Sequence, residues 1–133
     1  MKGRCLCGAV EYRLHGPITG INFCHCRQCR KASGSAFGTS AALARENLEL
    51  VNGEEHVRRY QSSPGKQRVF CGNCGSPLYS VRDGADTVYV RLGTLEDDPG
   101  RKPDVHIHVA SRAGWYEIHD DLPQLSAEEG LWF

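Results

Sequence analysis

The sequence carries no excess of either charge, since sixteen Lys and Arg balance sixteen Asp and Glu in 133 residues. A general polyanion-binding surface therefore has no compositional support, and nucleic acid is not an expected partner. No uncharged apolar run approaches the roughly 20 residues of a membrane span, so no membrane association is expected. The start, Met1-Lys-Gly-Arg-Cys-Leu-Cys7, has charge without an apolar stretch behind it. No secretory signal is expected from it, and the cytoplasm is the expected location. Internal repeats, linkers and low-complexity runs are also missing, and the length suits a single domain over residues 1–133.

What is present is cysteine. Seven of them, an odd number, fall into three clusters: Cys5-x-Cys7, Cys24-x-Cys26-x-x-Cys29 and Cys71-x-x-Cys74. A disulfide framework prefers an even count and an oxidising compartment. Thiols one or three positions apart suit two thiolates converging on one metal ion better than they suit a disulfide. A structural zinc takes four ligands, and a catalytic zinc keeps three with one position open. Spacing suggests the same division. Cys24, Cys26 and Cys29 can wrap one ion, while Cys5, Cys7, Cys71 and Cys74 complete a four-thiolate site that closes a long loop and staples a small domain. Two alternatives stay open: one four-cysteine site with the other thiols idle, or a histidine closing the three-thiolate site.

The histidines with a spacing signal are His25, His106 and His108. His25 lies between two candidate ligands, so its side chain is expected to point away from their metal. Val105-His-Ile-His-Val109 alternates as a strand, placing His106 and His108 on one face and the valines and Ile107 on the other. His15, His56 and His119 carry no such signal.

Most of the chain reads as short strands broken by turns, which makes the expected fold class all-β, a small zinc-stapled domain of several short antiparallel sheets. Strands are expected over Gly8 to Leu14, Ile21 to Phe23 and Val105 to Ala110. A hairpin is expected from Asn47 to Gln61 around Asn52-Gly53, because Asn-Gly favours the type I′ turn. A second turn is expected at Ser62 to Gly65, and another hairpin from Leu78 to Leu92 around Asp83-Gly84. Helix is expected only around Arg27 to Ser33 and over 126–131, where Ser-Ala-Glu-Glu offers a cap.

Three blocks together resemble one family. They are Gly3-Arg-Cys-Leu-Cys-Gly-Ala-Val-Glu-Tyr12, Cys24-His-Cys-Arg-Gln-Cys-Arg-Lys-Ala-Ser-Gly34, and Phe70-Cys-Gly-Asn-Cys-Gly-Ser-Pro-Leu-Tyr79. Their order, spacing and flanking glycines are similar to those of the glutathione-dependent formaldehyde-activating enzyme and centromere protein V family. Gly93 to Pro99 and His106 to Trp115 extend the likeness. The resemblance implies coiled short β-sheets around a structural zinc held by Cys5, Cys7, Cys71 and Cys74. It puts Cys24, Cys26 and Cys29 on a second, open zinc that serves catalysis. The implied activity is carbon–sulfur lyase chemistry, the addition of glutathione to formaldehyde giving S-hydroxymethylglutathione. The implied partners are a small thiol and a small aldehyde, with a homo-oligomer as a further expectation. Typical members with that activity are longer than this chain.

A zinc ion with three thiolates carries one net negative charge, so it is a weaker generator of hydroxide than a three-histidine site and suits an incoming thiol better. Binding that thiol as thiolate adds a second negative charge, which neighbouring cations would offset. Arg27, Arg30 and Lys31 are the candidates for this substrate-binding role. Ser33, Ser76, Trp115 and Tyr116 are lesser candidates, the aromatic pair reading first as packing. The competing functional class is a non-catalytic binding module in which zinc only organises a surface for protein or peptide.

Overall fold

Ten strands and one helix order the chain, which the computed structural model describes over residues 1–127. The strands are β1 (Lys2–Arg4), β2 (Glu11–Leu14), β3 (Gly20–Cys24), β4 (Gly38–Ala44), β5 (Leu48–Asn52), β6 (Val57–Ser63), β7 (Lys66–Cys71), β8 (Pro77–Arg82), β9 (Thr87–Arg91) and β10 (Val105–Ile107), with helix α1 (Arg27–Ser33) between β3 and β4. They form a three-stranded sheet, β1-β2-β5, and a seven-stranded sheet, β10-β3-β4-β9-β8-β7-β6. Only the β10–β3 pair is parallel. The all-β expectation is met.

Strand alternation gives the large sheet two unlike faces. Cross-strand partners share a face, so the pairings Ala41↔Val90, Leu43↔Val88 and Val69↔Tyr79 build an apolar one. Tyr12 and Leu14 of the small sheet pack into the same cluster as Leu43, Val69, Val88 and Val90, so the two sheets share one core. Each buried Val or Leu there is worth about 2 kcal/mol. The opposite face carries Asn22↔Ser40↔Arg91, Ser80↔Tyr89, Arg68↔Ser80 and Lys66↔Arg82. That face is polar and cationic.

Several local expectations hold. The helix over Arg27–Ser33 forms, and the hairpins β6–β7 and β8–β9 turn where expected. Others are corrected. Asn52-Gly53 does not close a hairpin: β5 pairs with β2 in the small sheet and β6 with β7 in the large one, so this stretch crosses between sheets. Gly53 adopts φ 81°, and a Cβ there would lie 1.8 Å from the Ala9 carbonyl oxygen. Close backbone approach, rather than turn type, explains that glycine. The last strand ends at Ile107, because His108 takes a left-handed conformation (φ 54°) that breaks the extended run. His106 and His108 therefore do not share a strand face. The helix expected over 126–131 falls outside the described residues, apart from a bend at Ser126 and Ala127. No helix among the described residues is long and apolar enough to cross a membrane.

Candidate metal centres and their pocket

The two outer cysteine pairs meet although they are more than sixty residues apart in sequence. Cys5 and Cys7 lie in the turn after β1, Cys71 ends β7, and Cys74 lies in the turn between β7 and β8. The Gly75 N–H donates to the Cys71 carbonyl at 2.7 Å and closes the second turn. All four Sγ atoms lie within 4.8 Å of one another. Cys5–Cys7 and Cys7–Cys71 sulfur separations are 3.6 and 3.9 Å. Four thiolates at about 2.3 Å from a zinc ion form a tetrahedron with edges of about 3.8 Å. These residues fit such an ion, and all seven cysteines are free of disulfides.

The surroundings favour thiolates. Val10 N–H and the Asn73 side-chain amide donate to the sulfurs of Cys5 and Cys7 at 3.3 and 3.2 Å. The Asn73 bond holds the Cys7 thiol below its ordinary range. Ser76 Oγ accepts the Leu6 N–H at 2.8 Å and lies 3.4 Å from Cys74 Sγ. Hydrogen bonding from Ser76 lowers Cys74 to about 5. Cys71 is closed off from solvent, and this desolvation pushes it up to about 11. Binding a metal there must displace that proton.

The central cluster is built by strand, loop and helix. Cys24 ends β3, Cys26 is the N-cap of α1, and Cys29 lies in the helix on its buried side. The Cys29 N–H donates to Cys26 Sγ at 3.3 Å, so a sulfur takes the capping role that a Ser or Asp oxygen usually fills. The α1 helix can sit this close because Gly38 pairs with Cys24 in the sheet. A Cβ on Gly38 would lie 3.3 Å from that of Cys29. The three Sγ atoms lie within 4.8 Å of one another and fit three ligands of one ion. Without metal, the Cys24 and Cys26 thiols bond to Cys29, and Arg68 adds to them. Cys29 is thereby lowered and Cys24 correspondingly raised.

Cys24 and Cys29 line a cleft that opens to solvent. Its other walls come from the polar face of the large sheet: Asn22, Ser40, Ser80, Lys66, Arg82 and Arg91 among them. The cavity lining contains three cations and no carboxylate. Arg91 donates to Ser40 Oγ, and its burial lowers the guanidinium from its ordinary value. Burial, and secondarily Arg68, lower Lys66 in the same direction. The Arg68 guanidinium reaches Cys29 Sγ at 3.7 Å and the Gln28 side chain at 3.4 Å. Lys66 and Arg91 are half-buried and Arg82 is exposed, and cations with no carboxylate opposite favour an anionic ligand.

The cations expected from the sequence lie elsewhere. Arg27, Arg30 and Lys31 line a separate shallow pocket beside Trp115, which is 72% exposed. Arg30 donates to the Ser111 carbonyl at 3.1 Å. Ser33 bonds to the Arg30 and Phe37 carbonyls, and Tyr116 packs edge-on against Phe37. Sequence reasoning missed Lys66, Arg68, Arg82 and Arg91. The alternation of Lys66 and Arg68 along β7 was readable, but which face met Cys24 depended on register.

His25 turns away from the cysteines, as expected. It is fully buried, and Nε2 lies 2.8 Å from Nδ1 of His106. Desolvation, with the nearby His106 as a second cause, lowers its pKa to about 4. His106 is buried as well and meets the Asp120 carboxylate at 2.9 Å, a contact that lowers Asp120. His106 is thus an interior group, not part of an exposed polar strand face.

Comparison with known proteins agrees with this architecture. The model of the glutathione-dependent formaldehyde-activating enzyme family matches residues 1–111. An uncharacterized lyase of Schizosaccharomyces pombe is 33% identical over 96% of this chain and 92% of its own length. A Colletotrichum graminicola protein named for glutathione-dependent formaldehyde activation is 28% identical over 93% of this chain. A Podospora anserina protein of the same name is 26% identical over 81%. The chain spans only 58% and 54% of the lengths of these last two. The crystal structure of a Rhodobacter sphaeroides protein superposes with a TM-score of 0.63 at 29% identity, covering 77% of this chain and 98% of that one. By its cysteine blocks, its sheets and these matches, the chain belongs to the glutathione-dependent formaldehyde-activating enzyme family.

Proposed function

We propose that this chain is a zinc-dependent carbon–sulfur lyase that joins a small anionic thiol of the glutathione type to formaldehyde. The observation that carries the reading is the cavity where Cys24 and Cys29 meet Lys66, Arg82 and Arg91 without an opposing carboxylate. Cys5, Cys7, Cys71 and Cys74 would hold a structural zinc, and Cys24, Cys26 and Cys29 a second one with a free position. A zinc ion at the second site supplies a place where a substrate sulfur is held as thiolate.

The protein's own groups do the rest. Glutathione carries carboxylates at a distance from its sulfur, and Lys66, Arg82 and Arg91 offer those carboxylates charge-assisted hydrogen bonds. Arg68, beside Cys29, offsets the negative charge that collects on the thiolates. In the reaction a carbon–sulfur bond forms, the carbonyl π bond breaks, and the carbonyl oxygen takes up a proton as the thiol gives one up. Holding the nucleophile beside the aldehyde makes this mainly a proximity effect.

Cobalt in place of zinc tests the reading, because each added thiolate strengthens the sulfur-to-metal charge-transfer band. Glutathione should change that spectrum, while its S-methyl analogue, lacking an ionisable thiol, should not. Lys66→Met should weaken glutathione about tenfold, the worth of one charge-assisted bond, without loss of metal. NMR exchange between formaldehyde and S-hydroxymethylglutathione should then exceed the uncatalysed rate. A cobalt spectrum indifferent to millimolar glutathione would exclude it as substrate.

A further inference from the structure

Beside the three-thiolate cluster runs a polar chain that the proposed reaction leaves unused. His25 Nε2 lies 2.8 Å from His106 Nδ1, and His106 Nε2 lies 3.1 and 2.9 Å from the two Asp120 oxygens. Asp120 is held in turn, because its Oδ1 accepts the Leu122 N–H at 3.0 Å. Aromatic rings fix both imidazoles: Phe23 stacks on His106 at 4.8 Å, and Phe37 tilts against His25 at 5.3 Å. The main chain does the same, with the His25 N–H on the Ile107 carbonyl at 3.0 Å and the His106 N–H on that of Pro123 at 2.9 Å.

The protons in this chain have one arrangement when both rings are neutral. A carboxylate only accepts, so His106 Nε2 carries the hydrogen. His106 Nδ1 is then a lone pair, and it accepts from Nε2–H of His25. His25 Nδ1 is left as a bare nitrogen, and it is buried with no hydrogen-bond partner. A buried acceptor without a partner costs about 1–3 kcal/mol, and the other tautomer would leave a buried donor there and break the bond to His106. The carboxylate two rings away thereby fixes the tautomer and the orientation of His25.

We propose that Asp120 and His106 are positioning residues for the three-thiolate site: through His25 they lock the Cys24–Cys26 segment, and with it the directions in which the two flanking thiols meet a metal ion. The proposal rests on the reading that Cys24, Cys26 and Cys29 hold the second ion. Asp120 lies beyond residues 1–111, the stretch matched by the family model. The same C-terminal segment brings Leu125 against the Cys24 and Cys29 cluster, so it supports the site from two directions. Groups behind metal ligands commonly govern how well those ligands hold the ion.

The test uses the full chain loaded with cobalt and measures ion release to a chelator together with the ligand-field spectrum. Wild-type protein should take up two ions and release them in two phases, and Cys26→Ser assigns the phase of the three-thiolate site by deleting it. Asp120 has a side chain 43% exposed, so its variants should fold. In Asp120→Ala, release from the three-thiolate site should accelerate at least about tenfold and its ligand-field bands shift. The four-thiolate phase should be unchanged and serves as the internal control. Asp120→Asn keeps an oxygen that accepts from His106, so it should restore the wild-type rate and spectrum. An unchanged Asp120→Ala overturns the proposal, and so does Asp120→Asn behaving like Asp120→Ala. Uptake of a single ion by the wild-type chain overturns the underlying reading of the site, and the proposal falls with it.

Discussion

The two kinds of cysteine differ most clearly in what a serine would do in their place. Cys26 caps α1 by accepting the Cys29 N–H, and serine is among the preferred residues for that position. The Cys26→Ser chain should therefore fold with nearly unchanged stability while binding one metal equivalent fewer, as metal analysis and denaturant melts would measure. Cys71 is fully buried at the end of β7, inside the shared core. Cys71→Ser removes a metal ligand where metal free energy is folding free energy. That chain should be insoluble or unfolded by circular dichroism. Two variants that behave alike would end this division of labour.

At the scale of elements, the tightest joint is the crossover between the sheets after β5. Gly53 is there in a left-handed conformation with the Ala9 carbonyl against it. Gly53→Ala combines an unfavourable φ with a backbone clash and should cost about 3 kcal/mol. A denaturant midpoint close to wild type would show that the β2–β5 end of the small sheet can open to admit a methyl group. This crossover also shows where local pattern misleads. Asn-Gly between two apolar runs is a strong hairpin signal, yet its flanking strands find partners in different sheets. Strand β4 shows the converse. Gly-Thr-Ser-Ala-Ala-Leu-Ala has weak strand propensity, and no strand was expected there. It is nevertheless flanked by β3 and β9 in the large sheet, with Ser40, Ala41, Ala42 and Leu43 all buried.

For the whole molecule, the four-thiolate site ties the first residues of the chain to the β7–β8 turn, closing a loop of more than sixty residues. Removing its metal with a strong chelator should unfold the chain cooperatively, read as loss of the far-UV strand signal and reversed by adding zinc. Metal uptake also releases protons, since only thiolates bind. The metal-free chain is unfolded, so its thiols titrate near their ordinary value of about 8.5 and are mostly protonated at pH 7. In the Cys26→Ser chain, loading the four-thiolate site at pH 7 should therefore release about four protons. Lowering the pH opposes that release and weakens the metal. Titration of released protons under stoichiometric zinc checks this, and release of two or fewer would contradict a four-thiolate site.

Cysteine spacing suggested the division of the thiols into a set of four and a set of three, because ligands one and three positions apart point to a common centre, and the folded chain brings the same two sets together. Alternating apolar residues and turn chemistry carried the all-β class, the short helix at Arg27–Ser33, the turn at 62–65 and the hairpin around Asp83-Gly84, since these are local properties of the backbone. What only the tertiary structure decided is which cations and which histidines lie beside the central cluster. Arg27, Arg30 and Lys31 are near the cysteines in sequence, but the helix carries them to another pocket. Lys66, Arg82 and Arg91 reach the cavity because the register of β7, β8 and β9 puts them on the face of Cys24, and a shift by one residue would have turned them into the core. His25, His106 and Asp120 are brought together by the parallel pairing of β10 with β3 and by the return of the C-terminal segment along β10. Contacts between residues eighty positions apart depend on how the sheets close, and no local pattern encodes them.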